Sequence, residues 1–213
     1  MKKLKNKDLQ RINIEEFKSA NKTPITIVLD NVRSALNVGS VFRTSDAFLI
    51  ENIILCGITA TPPNKEIRKA ALGSTNSVTW KYVKNTTDAV QQLINEGYYV
   101  VGVEQADKST FLNEFKLPKK PIAIILGNEV NGVDQQAIDL CNEVIEIPQF
   151  GTKHSLNVSV TTGIVIWKIW EKINLAQLPP RDINHTHNWI SIMDQSNIHS
   201  ELPISFYKFF CTI

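Results

Sequence analysis

From residue 23 the chain alternates short apolar runs with longer stretches whose apolar positions recur at helical spacing. The runs "ITIVLD" (25–30), "NIILCG" (52–57), "SVTWKYV" (77–83), "YYVVGVE" (98–104), "IAIILG" (122–127) and "EVIEIP" (143–148) are short, rich in β-branched residues or alternating, and predict strands. Between them, helices are predicted over 38–50, in a short stretch ending at Gly73, over 86–97 and over 133–140. The third of these has a threonine cap, helical spacing of Val90, Leu93 and Ile94, and a terminal glycine. The segment "SLNVSVTTGIVIWKIWEKI" (155–173) is rich in residues that favour strands, but its unbroken length predicts a helix.

Strands separated by helices imply an α/β fold: a mainly parallel sheet with helices on both faces. The alternation occupies residues 24–175, preceded by a basic N-terminal extension (1–23) and followed by a tail (176–213) in which it stops.

In open parallel sheets, ligands gather beyond the carboxyl ends of the strands, so polar residues just after apolar runs are the first candidates for chemistry. Three clusters stand there. In the first, Asp30, Asn31 and Arg33 lead into "NVGSVFRTSD", where Asn37 suits a helix cap or a ligand contact. Gly39 lets the backbone come close to a neighbour, and Arg43 lies nearly two turns on, reaching back along the same side. The second, "LGNEVNGV" (126–133), sets Glu129 in a glycine-bounded turn, where a carboxylate either caps the next helix or orients a ligand. In the third, "IPQFGTKHSLNVSV" (147–160), Ser155 and Asn157 begin the last helix, where a short hydroxyl and an amide are normally capping groups.

Composition adds exclusions. Lys+Arg total 23 against 21 Asp+Glu, and the net charge of +2 makes no case for nucleic acid by itself. The opening "MKKLKNKDLQR" is locally basic and is expected to be a solvated terminus or a phosphate contact. Cys56, Cys141 and Cys211 are scattered, so neither a disulfide framework nor a zinc site is expected. With no long apolar run, no membrane association is expected and the setting is cytoplasmic. No metal is expected, since His185, His187 and His199 in the tail lack further ligands at suitable spacing. The glycine patterns of dinucleotide-binding, P-loop and serine-hydrolase folds are absent from the sequence.

Taken in order, "NVGSVFRTSDAF", "ILGNEVNGV" and "IPQFGTKHSLNVSV", with "PPNKEIRKAALGS", resemble the motifs of the SpoU (TrmH) family of RNA ribose 2′-O-methyltransferases in the SPOUT superfamily. The resemblance covers residues 24–173. It implies a C-terminal deep trefoil knot, S-adenosylmethionine as cofactor, tRNA or rRNA as substrate, and a homodimer whose second subunit helps complete each site. It implies a cofactor pocket built from Val103, Glu104, Leu126, Gly127, Ile147 and Leu156. Arg43 would be the catalytic arginine with Asn37 its partner, while Glu129, Ser155 and Asn157 would support cofactor and arginine. Arg33, Lys65, Arg68 and Lys69 would contact RNA phosphates, with solvated surface as the plainer alternative for each.

The chain departs from the family pattern at Gln149, where methionine is common, and at Thr161 and Thr162, where alanines are usual; both bear on pocket fit. tRNA is favoured over rRNA because 213 residues leave no room for an added N-terminal RNA-binding domain. Two alternatives stand beside this expectation. One is a non-catalytic RNA-binding or assembly factor on the same fold. The other is methylation of a base nitrogen, disfavoured because the branches that perform it lack this arginine motif.

Overall fold

A computed structural model describes residues 2–5, 8–9 and 11–174. The tail beyond 176, with its three histidines and Cys211, lies outside the described residues.

Seven parallel strands form one sheet: β1 (Thr23–Asp30), β2 (Ile50–Cys56), β3 (Thr79–Val83), β4 (Tyr99–Val103), β5 (Thr110–Phe111), β6 (Ile122–Leu126) and β7 (Glu143–Glu146). Their order is β3-β2-β1-β6-β4-β7-β5, and every pairing is parallel. The chain runs outward from β1 to β3, crosses to β4, and only later fills the gap with β6. Strand order therefore reverses around β1 and β6, which is where a crevice opens in a parallel sheet.

The helices are α1 (Ile14–Ser19), α2 (Ala35–Ala47), α3 (Lys65–Ala71), α4 (Thr86–Asn95), α5 (Gln135–Ile138) and α6 (Val158–Asn174). The two faces of the sheet are both covered. Ile25, Ile27 and Leu29 of β1 join the core under α2, α3 and α6; Val28 joins Ala89, Val90 and Leu93 of α4 on the other side. Every residue of β6 is buried, the two-sided burial of a central parallel strand.

Three differences from the sequence reading have local causes. Within the stretch set apart as an extension, Asn13 and Glu16 form a reciprocal capping box that starts α1, and Phe17 is buried in the core. Six residues, under two turns of helix, are too few to show a period. β5 is only two residues long, within what reads as a polar loop. The helix expected over 133–140 is a four-residue turn started by Asp134, whose side chain accepts from the Gln136 amide.

Gly39 has its explanation here. A Cβ at that position would lie 2.5 Å from the Ile67 carbonyl oxygen and 2.8 Å from Ala70 Cβ. The neighbour its bare backbone admits is helix α3.

Candidate active site

The carboxyl ends of β4, β6 and β7 surround a cavity of about 510 Å³. Val103, Glu104, Leu126, Gly127, Ile147 and Leu156 all line it. Three separate loops thus deliver one lining because their strands are neighbours in the sheet. Gly127 is required by closeness: an added Cβ would sit 2.1 Å from the Gly132 carbonyl carbon. The turn that follows folds directly over it, closed by reciprocal backbone hydrogen bonds of 2.9 Å between Asn128 and Gly132.

Ser34 is the N-cap of α2, so the helix starts earlier than expected and Asn37 stands inside its first turn rather than capping it. That frees the Asn37 side chain. Its Nδ2 donates to Glu129 Oε1 at 3.0 Å, and its Oδ1 accepts from Asn157 Nδ2 at 3.2 Å. Glu129 also accepts from the amides of Arg33 at 2.9 Å and Ser34 at 3.0 Å. Partial burial alone would raise the Glu129 pKa. The amides of Arg33, of Glu129 itself and of Ser34, with the Asn37 side chain, outweigh it and hold the carboxyl below its ordinary value.

Asn157 caps α6, which begins at Val158 rather than at Ser155. Its Oδ1 accepts from the Ser159 amide at 2.9 Å and hydroxyl at 2.7 Å. The capping and site readings of this residue hold together, since its Nδ2 reaches Asn37. Ser155 lines the cavity and is exposed.

Arg43 is placed differently. Six residues are about one and two-thirds turns, so it projects roughly 120° around α2 from Asn37 rather than along the same side. It is exposed, does not line the cavity, and has no hydrogen-bond partner among the described residues. It shares the outward stripe of α2 with Leu36, seven residues before it. Arg33, Lys65, Arg68 and Lys69 are all exposed, the last three on α3 beside α2.

Gln149 and Thr161, singled out for pocket fit, line the cavity, whereas the sequence reading missed Gln105, Asn128, Glu146 and His154. Gln105 donates to the His154 carbonyl at 2.8 Å, tying the loop after β4 to the loop before α6. Glu104 accepts from the Val133 amide at 3.1 Å, so its carboxylate also holds the 127–133 turn. Position just past a strand end was the available signal for Gln105 and Asn128.

Among the described residues, no group of three or more His, Cys, Asp or Glu is placed to hold a metal ion, and no helix is long and apolar enough to cross a membrane.

The fold and cavity define a class: an open parallel α/β protein whose small-molecule site lies beyond the carboxyl ends of neighbouring central strands and borders a polar cluster joining three loops. Residues 24–167 match the model of the SpoU rRNA methylase family, and the chain belongs to that family. An uncharacterized tRNA/rRNA methyltransferase of Borreliella burgdorferi is 31% identical over 173 residues, covering 81% of this chain and 74% of the relative. The 23S rRNA (guanosine-2′-O-)-methyltransferase RlmB of Vibrio parahaemolyticus is 31% identical over 163 residues, covering 76% of this chain and 65% of that one. The chain thus spans a little under two-thirds of the latter. Among solved structures, the AdoMet-bound rRNA methyltransferase of Sinorhizobium meliloti superposes with TM-score 0.67 at 28% identity, covering 78% of this chain and 62% of that one. The A. aeolicus TrmH/SpoU tRNA modifying enzyme, at 23% identity and TM-score 0.67 over 88% of this chain and 95% of its own, shares the fold.

Proposed function

We propose that this protein transfers a methyl group from S-adenosylmethionine to a ribose 2′-hydroxyl of RNA. The observation that carries the reading is the cluster Asn37–Glu129–Asn157, which joins three distant motifs beside a cavity lined by all six expected pocket residues. The RlmB relative is named for the same chemistry on 23S rRNA, and other relatives for tRNA or rRNA without a choice between them. The substrate is therefore left as tRNA or rRNA, without the preference drawn from chain length.

The cavity suits the cofactor chemically. Val103, Leu126, Ile147 and Leu156 offer apolar surface to a flat purine, and the carboxylates of Glu104, Glu129 and Glu146 favour a ligand carrying ammonium and sulfonium charge. When bound, the cofactor supplies a methyl group already activated by the positive charge on its sulfur.

The protein's work is then mostly positioning. Glu129 and Asn157 fix the Asn37 amide from both ends. Arg43 holds its proton too strongly to be an ordinary base. Its role in this reading is to bind phosphate or hydroxyl and to stabilise negative charge developing on the ribose oxygen.

A homodimer belongs to the same reading, as does the trefoil knot. Its support is an exposed apolar stripe: Val160, Ile164 and Trp167 recur at helical spacing on α6, which packs against α2, where Leu36 is also exposed. Arg43 lies on the Leu36 stripe, which puts it on the face where a second copy would meet this one.

The test is transfer of labelled methyl from S-adenosylmethionine to tRNA and, separately, to rRNA from a strain lacking the gene, followed by nucleoside analysis. A 2′-O-methylated nucleoside is expected in one pool. Label on a base, or binding of cofactor and RNA without transfer, would overturn the reading, the latter in favour of a non-catalytic RNA-binding factor.

A further inference from the structure

The turn that carries Glu129 is held at both ends by residues to which the reading above gives no task. At its start, Asn128 Nδ2 donates to the backbone carbonyl of Asn31 at 2.7 Å, while Asn128 Oδ1 accepts from the amides of Val130 at 2.8 Å and Asn131 at 3.2 Å. At its end, the Asp134 amide donates to Asp30 Oδ2 at 2.8 Å.

Asp30 is 1% exposed, a buried carboxylate that requires such partners. Its other oxygen accepts from Asn31 Nδ2 at 2.8 Å and from the Thr86 hydroxyl. Asn31 is itself in the left-handed region at φ +53, and its Oδ1 accepts from the Ile58 amide at 3.1 Å. Residues 30 and 31 thus clasp both 128 and 134, and Glu129 lies between the two attachments.

Glu129 is exposed, and a carboxylate on an untethered surface turn would spread over many rotamers. Here it is presented squarely to the Arg33 and Ser34 amides and to Asn37. We propose that Asn128 and Asp30 are positioning residues for the methyl transfer: they fix Glu129, and through it Asn37. The inference rests on the proposed function, and a displacement of about 1 Å at such a site is enough to cost roughly 100-fold in rate.

The experiment is a double-mutant cycle on the full chain with Asn128→Ala, Glu129→Ala and the double variant, read by turnover and by amide hydrogen exchange. Asn128→Ala is expected to lower turnover at least ~10-fold. If it acts through Glu129, the double variant loses no more than Glu129→Ala alone. Asn128→Asp guards against misfolding: it keeps the acceptor for Val130 and Asn131 but loses the donor to Asn31, and is expected to match Asn128→Ala in turnover while melting with wild type. Exchange at the Arg33 and Ser34 amides is expected to quicken in both Asn128 variants. Additive losses in the cycle, wild-type turnover in Asn128→Asp, or unchanged exchange at those amides would each overturn the proposal. A wild-type protein that transfers no methyl sinks the functional reading instead, and the exchange measurement then still decides the clasp.

Discussion

Asn37 and Asn157, 120 residues apart in the chain, meet through a 3.2 Å hydrogen bond from Asn157 Nδ2 to Asn37 Oδ1. The other end of the Asn37 amide donates to Glu129 Oε1. Both ends of one side chain are thus used, which fixes its orientation. Asn37→Asp keeps the shape but replaces the donor facing Glu129 by a second negative oxygen. Losing a hydrogen bond to a charged group costs about 1.5–3 kcal/mol. Turnover is accordingly expected to fall ~10- to 150-fold, with cofactor affinity far less affected. Methyl-transfer kinetics beside a cofactor titration check this; equal losses in both would mean that Asn37 serves the cavity rather than the reacting ribose.

The Glu129 carboxyl titrates below its ordinary value of 4.5, so the folded state favours the charged form. The stabilisation is therefore fully present above 4.5 and is lost as pH falls through the folded-state value. The group is exposed, so the step in stability is small, and the direct measurement is an NMR titration of the Glu129 side-chain carboxyl. A midpoint above 4.5 would show that the Arg33 and Ser34 amides do not hold the charge as described.

Much of this architecture was legible in the sequence because buried parallel strands such as "IAIIL" read as apolar runs and α4 carries a clear period. The pocket residues were reachable by resemblance, and Gln105 and Asn128 were not, although both stand just past strand ends. What the sequence hides is contact between distant side chains. Asn37 read as either a cap or a ligand contact because the true cap, Ser34, sits three residues earlier with an equally suitable hydroxyl. Asp30 read as an end-of-strand carboxylate, while its partners Thr86 and Asp134 are 56 and 104 residues away.

Gly39 and Gly127 both stand where a Cβ does not fit, with different consequences. At Gly39 the clash is with the backbone of α3, so alanine must push α2 and α3 away from each other, at a cost of about 1–3 kcal/mol. Gly39→Ala is expected to lower Tm by roughly 2–12 °C while cofactor still binds below the transition. At Gly127 the clash is with the turn over the cavity, so Gly127→Ala is expected to lose cofactor binding first. Calorimetry of melting and of cofactor binding on both variants separates the cases; the same pattern in the two would refute the distinction.

Lys65, Arg68 and Lys69 leave their charges exposed on α3. If they contact RNA phosphates, each neutralisation reduces the slope of log affinity against log salt by about 0.7–0.9. The triple glutamine variant, followed by fluorescence anisotropy across a salt series, is expected to show a slope shallower by roughly 2 to 3. An unchanged slope would return these residues to plain solvated surface.

Arg43 presents the sharpest question, because it is exposed on the Leu36 stripe of α2 and does not line the cavity of its own chain. In a symmetric dimer meeting on that stripe, each Arg43 would face the partner, and the proposed reading has it serve the opposite cavity. Arg43→Ala and Gly127→Ala would then each inactivate a homodimer, one by removing the arginine and the other by disturbing the cofactor turn. A mixed dimer carrying one variant on each subunit contains one site with neither defect. Co-expressed with two affinity tags and purified through both, it is expected to recover about half of wild-type turnover, while the two parent homodimers stay inactive. An inactive mixed dimer of confirmed composition would place Arg43 in the service of its own chain, and the exposed stripe of α2 and α6 would then need another partner.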